Sequence, residues 1–179
     1  RRYISQVAYQ EPPYTDAVAF VNCLRSATPD SLKYIISDMF EHITVYENYV
    51  KSLKSEPMAD GRYKVTLTVG CTKFRADSMG NNTKQPVNDY IDIGVFAAAV
   101  KGAKEQYNPL VLHKVKIDAP EKTFVFIVKE KPVFAGIDPY NKLIDRTPDN
   151  NICNFGIAPK IPNLSEKEIR FDMGSDDDD

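Results

Sequence analysis

The sequence predicts an α+β chain: a short helical segment, an antiparallel β-sandwich of the Ig-like kind with about six or seven strands, and an irregular tail. Three observations carry that prediction. Apolar residues recur at helical spacing as far as Ile43, the period falls to two from Thr44, and beyond Pro139 it is lost among Asn, Asp and Pro. The segments are residues 1–43, 44–139 and 140–179. With 179 residues, 42% of them hydrophobic, the chain is long and apolar enough to bury a core of its own.

In "YTDAVAFVNCLRSA" the residues Ala17, Phe20, Val21 and Leu24 share one helical face. At "SATPDS" the helix breaks; Thr28 can cap the next one, with Pro29 at its first position. Leu32, Ile35, Ile36, Met39, Phe40 and Ile43 then form a broad apolar stripe. Two short helices cannot bury both stripes against each other. The segment is therefore expected to finish a helical domain that starts upstream. The opening "RRYISQVAYQ" has neither an initiator Met nor a signal-peptide core, so the chain reads as a piece of a longer protein.

The strands follow. "TVYENYVKSLKS" is long and polar-dotted, and Asp60-Gly61 is a tight-turn signal. Tyr63, Val65, Leu67, Val69 and Cys71 alternate with polar residues; Gly70 interrupts the polar face, and Phe74, out of phase, predicts a nearby bulge. "YIDIGVF" sets Ile91, Ile93 and Val95 on one face, and "LVLHKVKI" does the same for Val111, His113, Val115 and Ile117. "KTFVFIVKEKP" is apolar on both faces, as a central strand is, and "VFAGIDP" is a last short strand. In "NDYIDIGVF", Asn88, Asp89 and Asp92 are expected to anchor the preceding loop on backbone amides, while Gly94 permits a bulge or a close strand approach. Residues 140–179 read as an extended tail packing in patches, its acidic end "GSDDDD" either disordered or an artificial addition.

Signs of chemistry are sparse. The net charge of −2 implies no attraction to nucleic acid, and no apolar run is long enough for direct membrane insertion. Cys23, Cys71 and Cys153 are too scattered for a disulfide framework or a CxxC site. His42 and His113 lie far apart, without the paired spacing of a zinc peptidase; the first reads as a helix-end residue, the second as an inward or interface side chain. There is no GxSxG elbow and no phosphate loop. Asp77, Asp89, Asp92 and Asp138 could gather round calcium, but lack the spacing of a calcium loop; turn chemistry is the plainer reading. "NNT" and "NLS" match the glycosylation triplet. Lys101, Lys104, Lys114, Lys116, Lys122, Lys129 and Lys131 read as strand-edge protectors. No catalytic, cofactor-binding or metal residue is assigned.

Three strings, "PDSLKYIISDMFEHITVYENYV", "GRYKVTLTVGCTKFRADSMGNNTKQPVNDYIDIGVF" and "AGIDPYNKLIDRTPDNN", resemble the C-terminal end of M1-family zinc aminopeptidases. The nearest likeness is to the bacterial type fused to an ABC-2-like permease. It runs from about Tyr3 to Asn151, and from Ile152 the sequence departs from it. The resemblance implies that the HExxH zinc motif lies upstream, so zinc belongs to a catalytic domain outside this chain. It implies a non-catalytic accessory domain that packs its helical face on that catalytic domain, in a membrane-associated parent whose side of the membrane is undetermined. The alternative is a free-standing sandwich that binds peptide or carbohydrate through exposed aromatics, with Tyr46, Tyr49, Tyr90 and Tyr107 as candidates. The apolar face could also support a homo-oligomer.

Overall fold

A computed structural model describes residues 1–99 and 106–162. The chain forms two compact units that meet in sequence between Thr44 and Val45. Lys101, Lys104, the "NLS" triplet and the acidic end lie outside the described residues.

The first unit holds α1 (Arg2–Gln6), α2 (Ala17–Ala27) and α3 (Lys33–Phe40). Asp16 starts α2 by accepting the Ala19 amide at 2.8 Å. Thr28 closes this helix instead of capping the next: its hydroxyl donates to the Leu24 carbonyl at 2.8 Å. A 3-10 turn, Asp30–Leu32, then leads into α3. Edge-to-face contacts join Tyr3 to Phe20 and Phe20 to Phe40, and Arg25 pairs with Glu41.

The second unit is a β-sandwich of two four-stranded sheets. In one sheet β1 (Ile43–Pro57) lies beside β2 (Tyr63–Ala76). The other edge of β2 is shared end to end: Lys73–Ala76 pairs with β3 (Asn82–Gln85), and Tyr63–Gly70 with β6 (Glu121–Val128). The other sheet runs in the order β5 (Gln106–Ile117), β4 (Asp89–Ala99), β7 (Phe134–Ile137), β8 (Ile152–Asn154). Alternate residues of both sheets make the core: Val50, Val65, Leu67 and Val69 from one, Ile91, Ile93, Val95, Ile117 and Ile137 from the other. Each such side chain contributes about 1.5–3 kcal/mol on burial.

Several expectations need correction. Neither ladder of β2 to β3 or β6 carries a register shift, so Phe74 marks no bulge there. Phe74 lies on the face opposite Cys71, buried beneath the Arg146 guanidinium, which sits 4.6 Å from its ring. The irregularity falls between Val95 and Phe96, where Leu110 is the extra residue of β5. The strand "KTFVFIV" is not central: among the described residues β6 pairs with β2 alone, and its outward Val125 and Ile127 stand exposed. β3 and β8 went unforeseen because Asn-Thr-Lys-Gln and Ile-Cys-Asn are too short to show a period.

The stretch after Pro139 has no period because long-range contacts shape it. Asp138 and Asn141 turn the chain at φ +43° and +49°. Tyr46 of β1 then donates its amide to the Ile144 carbonyl at 2.8 Å and accepts the Arg146 amide at 3.0 Å. A 3-10 turn (Pro148–Asn150) returns the chain to β8 in the opposite sheet.

Candidate functional site

The two acids of "NDYIDIG", Asp89 and Asp92, are buried in the sandwich and each meets lysine, Asp89 a buried one and Asp92 two half-exposed ones. Register places Asp92 opposite Lys114 on β5, and the Lys114 ammonium lies 3.3 Å from its carboxylate. Lys142, from the stretch after β7, reaches the other oxygen at 2.6 Å. Burial alone would raise the Asp92 carboxyl, but the hydrogen bond from Lys142 and the charge of Lys114 outweigh it and hold it below the usual carboxylate range.

Asp138 sits behind this pair, 1% exposed. Its amide donates to the Asp92 carbonyl at 2.7 Å. Its carboxylate oxygens accept the amides of Lys142 at 3.0 Å and Leu143 at 2.9 Å. Burial pushes this carboxyl above its usual range, and the charges of Asp145 and Asp92 add to the push. The geometry is that of a turn clamp.

At the start of β4, Asp89 is buried against Lys73, with the ammonium 3.1 Å from its carboxylate. The Tyr46 hydroxyl donates to Asp89 at 3.2 Å, and Lys73 stands 5.7 Å from the Tyr46 ring centroid. The two charges neutralise each other inside the fold. Burial, with the Asp89 and Asp145 charges adding, pushes the neighbouring Cys71 thiol up, away from the thiolate that nucleophilic chemistry needs.

A third group borders β1. Asp145 accepts the Asn48 and Thr147 amides, each at 2.9 Å. Glu47 is buried nearby, its carboxyl raised by burial first and by Asp145 next, against hydrogen bonds from Thr147 and Asn150. The side-chain amides of Asn48 and Asn151 are fully buried and find no partner among the described residues.

The acids singled out from sequence thus divide. Asp89, Asp92 and Asp138 are buried on or beside β4, whereas Asp77 stays in its own exposed turn, accepting the Met79 and Asn81 amides at 2.9 Å. Asp92 is held by lysine ammoniums, not by the backbone amides expected, and Asn88 is exposed. His42 is exposed beyond α3. His113 is exposed on β5, its ring 6.3 Å from that of Phe126. Tyr46 and Tyr49 are buried, while Tyr90 and Tyr107 reach the surface. Cys23, Cys71 and Cys153 are free thiols. Of the lysines read as edge protectors, Lys114 meets Asp92, and Lys122 donates to Asp118 and to the Lys116 carbonyl, both at 2.8 Å.

Sequence reasoning missed Lys73, Lys142, Asp145 and Glu47. Only Lys73 left a signal, standing in phase with Val69 and Cys71 on the core face of β2. One open hollow of the sandwich has a volume of about 480 Å³ and is lined by Leu53, Pro57, Tyr63, Lys131, Pro132 and Phe155 among others. Among the described residues no group of three or more His, Cys, Asp or Glu is placed to hold a metal, and no helix is long and apolar enough to cross a membrane. No protein-family model matches the chain, and neither a curated protein nor a solved structure does.

Proposed function

We propose that this chain is a non-catalytic accessory domain from the C-terminal end of a membrane-associated M1-type metallopeptidase, docking by its helical unit on the zinc-bearing catalytic domain. The observation that carries this reading is the open apolar face of α2 and α3. Val18 of α2 and Met39 and Phe40 of α3 are exposed, Met39 by 69%, as is Ile43 where β1 begins, and α2 buries none of its residues. A face of this kind is the mark of an interaction surface. The strings that resemble the peptidase end support a catalytic domain as its occupant, since the resemblance implies a helical region that continues into the catalytic part.

The test compares this chain with a version extended upstream through the catalytic region, measuring zinc content and aminopeptidase turnover. The extended chain should hold zinc and cleave, and the present chain should do neither. Met39→Glu in the extended chain should lower its stability by weakening the contact. Zinc bound stoichiometrically by the present chain, with turnover, would overturn the reading. A sandwich that binds peptide on its own is the second reading, favoured by the hollow beside Tyr63 and Phe155. Its test is titration with a peptide library: saturable binding lost in Phe155→Ala supports it, and a flat response removes it.

A further inference from the structure

The outer face of the sheet formed by β5, β4 and β7 joins aromatic rings to lysines. With Ile91, Ile93 and Val95 turned into the core, alternation along β4 turns Tyr90, Asp92, Gly94 and Phe96 outward. Register brings Lys116 beside Tyr90, Lys114 beside Asp92 and Tyr107 beside Ala98 on that same face. Four rings cross one end of it. Tyr107 meets Phe134 edge-on at 4.9 Å, Phe134 stacks on Phe96 at 4.6 Å, and Tyr140 meets Phe96 edge-on at 6.0 Å. The Phe96 ring fills the space that a side chain at Gly94 would need, so the strip lies low against the sheet. Phe96 is buried, while the tyrosines that end the strip, Tyr107 and Tyr140, are 44% and 51% exposed.

The other end of the face is cationic. Lys114 and Lys142 converge on the one carboxylate of Asp92, and Lys116 stands two residues beyond Lys114 on the same side of β5. Three ammonium groups thus share the face with one carboxylate, and the side chains of Lys114 and Lys142 keep 59% and 56% exposure. An ammonium has three donors, so a contact with Asp92 leaves others for an arriving acceptor. Lys142 also stands 5.7 Å from the Tyr140 ring centroid, which sets charge and ring side by side. We propose that this face is a binding site for an acidic polysaccharide. Sugar rings lie with their C–H faces on Tyr140 and Tyr107, and uronate or sulfate groups meet Lys116, Lys114 and Lys142. The excess of ammonium groups selects an anion, and the exposed rings select a ligand with flat apolar faces. A nucleic acid binds chiefly through its densely spaced phosphates, which a chain of net charge −2 does little to attract. The site uses no residue of the helical unit or of the hollow beside Phe155, so it does not depend on either reading given above.

Affinity electrophoresis of the whole chain tests this, in native gels containing polygalacturonate, alginate, heparin or neutral dextran. At least one acidic glycan should retard the chain, with a dissociation constant of about 10 µM to 1 mM, and dextran should not. Tyr140→Ala and Lys116→Glu should each weaken that binding by about fivefold or more while leaving the thermal melt in place, because both side chains are exposed. Lys129→Glu, the same charge change placed just after β6, should leave the binding unchanged. A chain retarded by none of the acidic glycans overturns the proposal. So does retardation that survives Tyr140→Ala and Lys116→Glu combined, or that Lys129→Glu removes just as well. Retardation by dextran as strong as by polygalacturonate overturns the part given to the lysines. Tighter binding to a single-stranded oligothymidylate than to any glycan overturns the polysaccharide as the ligand.

Discussion

Asp92 and Gly94 are residues a strand avoids, yet both sit in β4, and in each case a neighbour supplies the reason. Lys114 and Lys142 claim the Asp92 carboxylate, and the Phe96 ring occupies the space a side chain at Gly94 would need, 2.4 Å from its Cβ position. The Lys73–Asp89 pair makes the sharpest test at this scale. Removing one partner of a buried pair leaves an uncompensated charge, so Lys73→Met alone should cost about 3–5 kcal/mol in urea unfolding. Lys73→Met with Asp89→Leu should regain much of that loss; a double variant as weak as the single would show that the pair is not the source. The carboxyls give pH tests of opposite sign. Asp92 is lowered in the fold, so its stabilisation is present above the usual carboxylate value and lost as pH falls through the native one. Asp92→Asn should thus be less stable at neutral pH, with the gap closing in acid. Glu47 is raised by burial, so its contribution is present in acid and lost as pH rises through its native value. Glu47→Gln should gain on the native chain only as pH rises above the carboxylate range. Melting temperatures from about pH 3 to pH 8 read both slopes.

The elements show how long strands are held when their sequence is uneven. β2 changes partner midway, from β6 to β3, and the crossing is bridged by the Cys71 amide donating to the Pro120 carbonyl at 2.9 Å. Gly70 lies at this crossing with the Tyr49 ring over it; a Cβ there would stand 2.1 Å from the ring. Gly70→Ala should destabilise the sandwich by about 1–3 kcal/mol through overpacking, measured by denaturant midpoint at unchanged slope. Gly70→Ala with Tyr49→Leu should recover part of the loss, because the shorter side chain frees that space. An unchanged midpoint in the single variant would mean that the ring moves aside without cost.

At the scale of the whole molecule, every residue of the main core cluster belongs to the sandwich, from Tyr46 to Cys153. The helical unit buries one side chain of α3, Ile36, and none of α2. A chain beginning at Val45 should therefore keep a cooperative unfolding transition, with dispersed methyl signals in its NMR spectrum. The isolated segment 1–44 should melt without one, since short helices draw their stability from packing. A sharp transition in the isolated helices would remove the case for a missing docking partner.

The sequence by itself determined the fold class. Helical spacing to Ile43, the period of two from Thr44 and the turn at Asp60-Gly61 name the elements, because these periodicities follow from backbone geometry alone. The in-phase Val65, Leu67, Ile91, Ile93 and Val95 marked the core face for the same reason. Tertiary structure alone decided which strand is an edge, and which lysine meets which acid. Apolar faces on both sides made β6 read as central, since a sequence records what a residue tolerates and not what stands beside it. Likewise Lys142 lies 50 positions from Asp92, and Asp145 97 positions from Asn48. Contacts at that separation depend on chain folding in space, which leaves no period in the sequence to read.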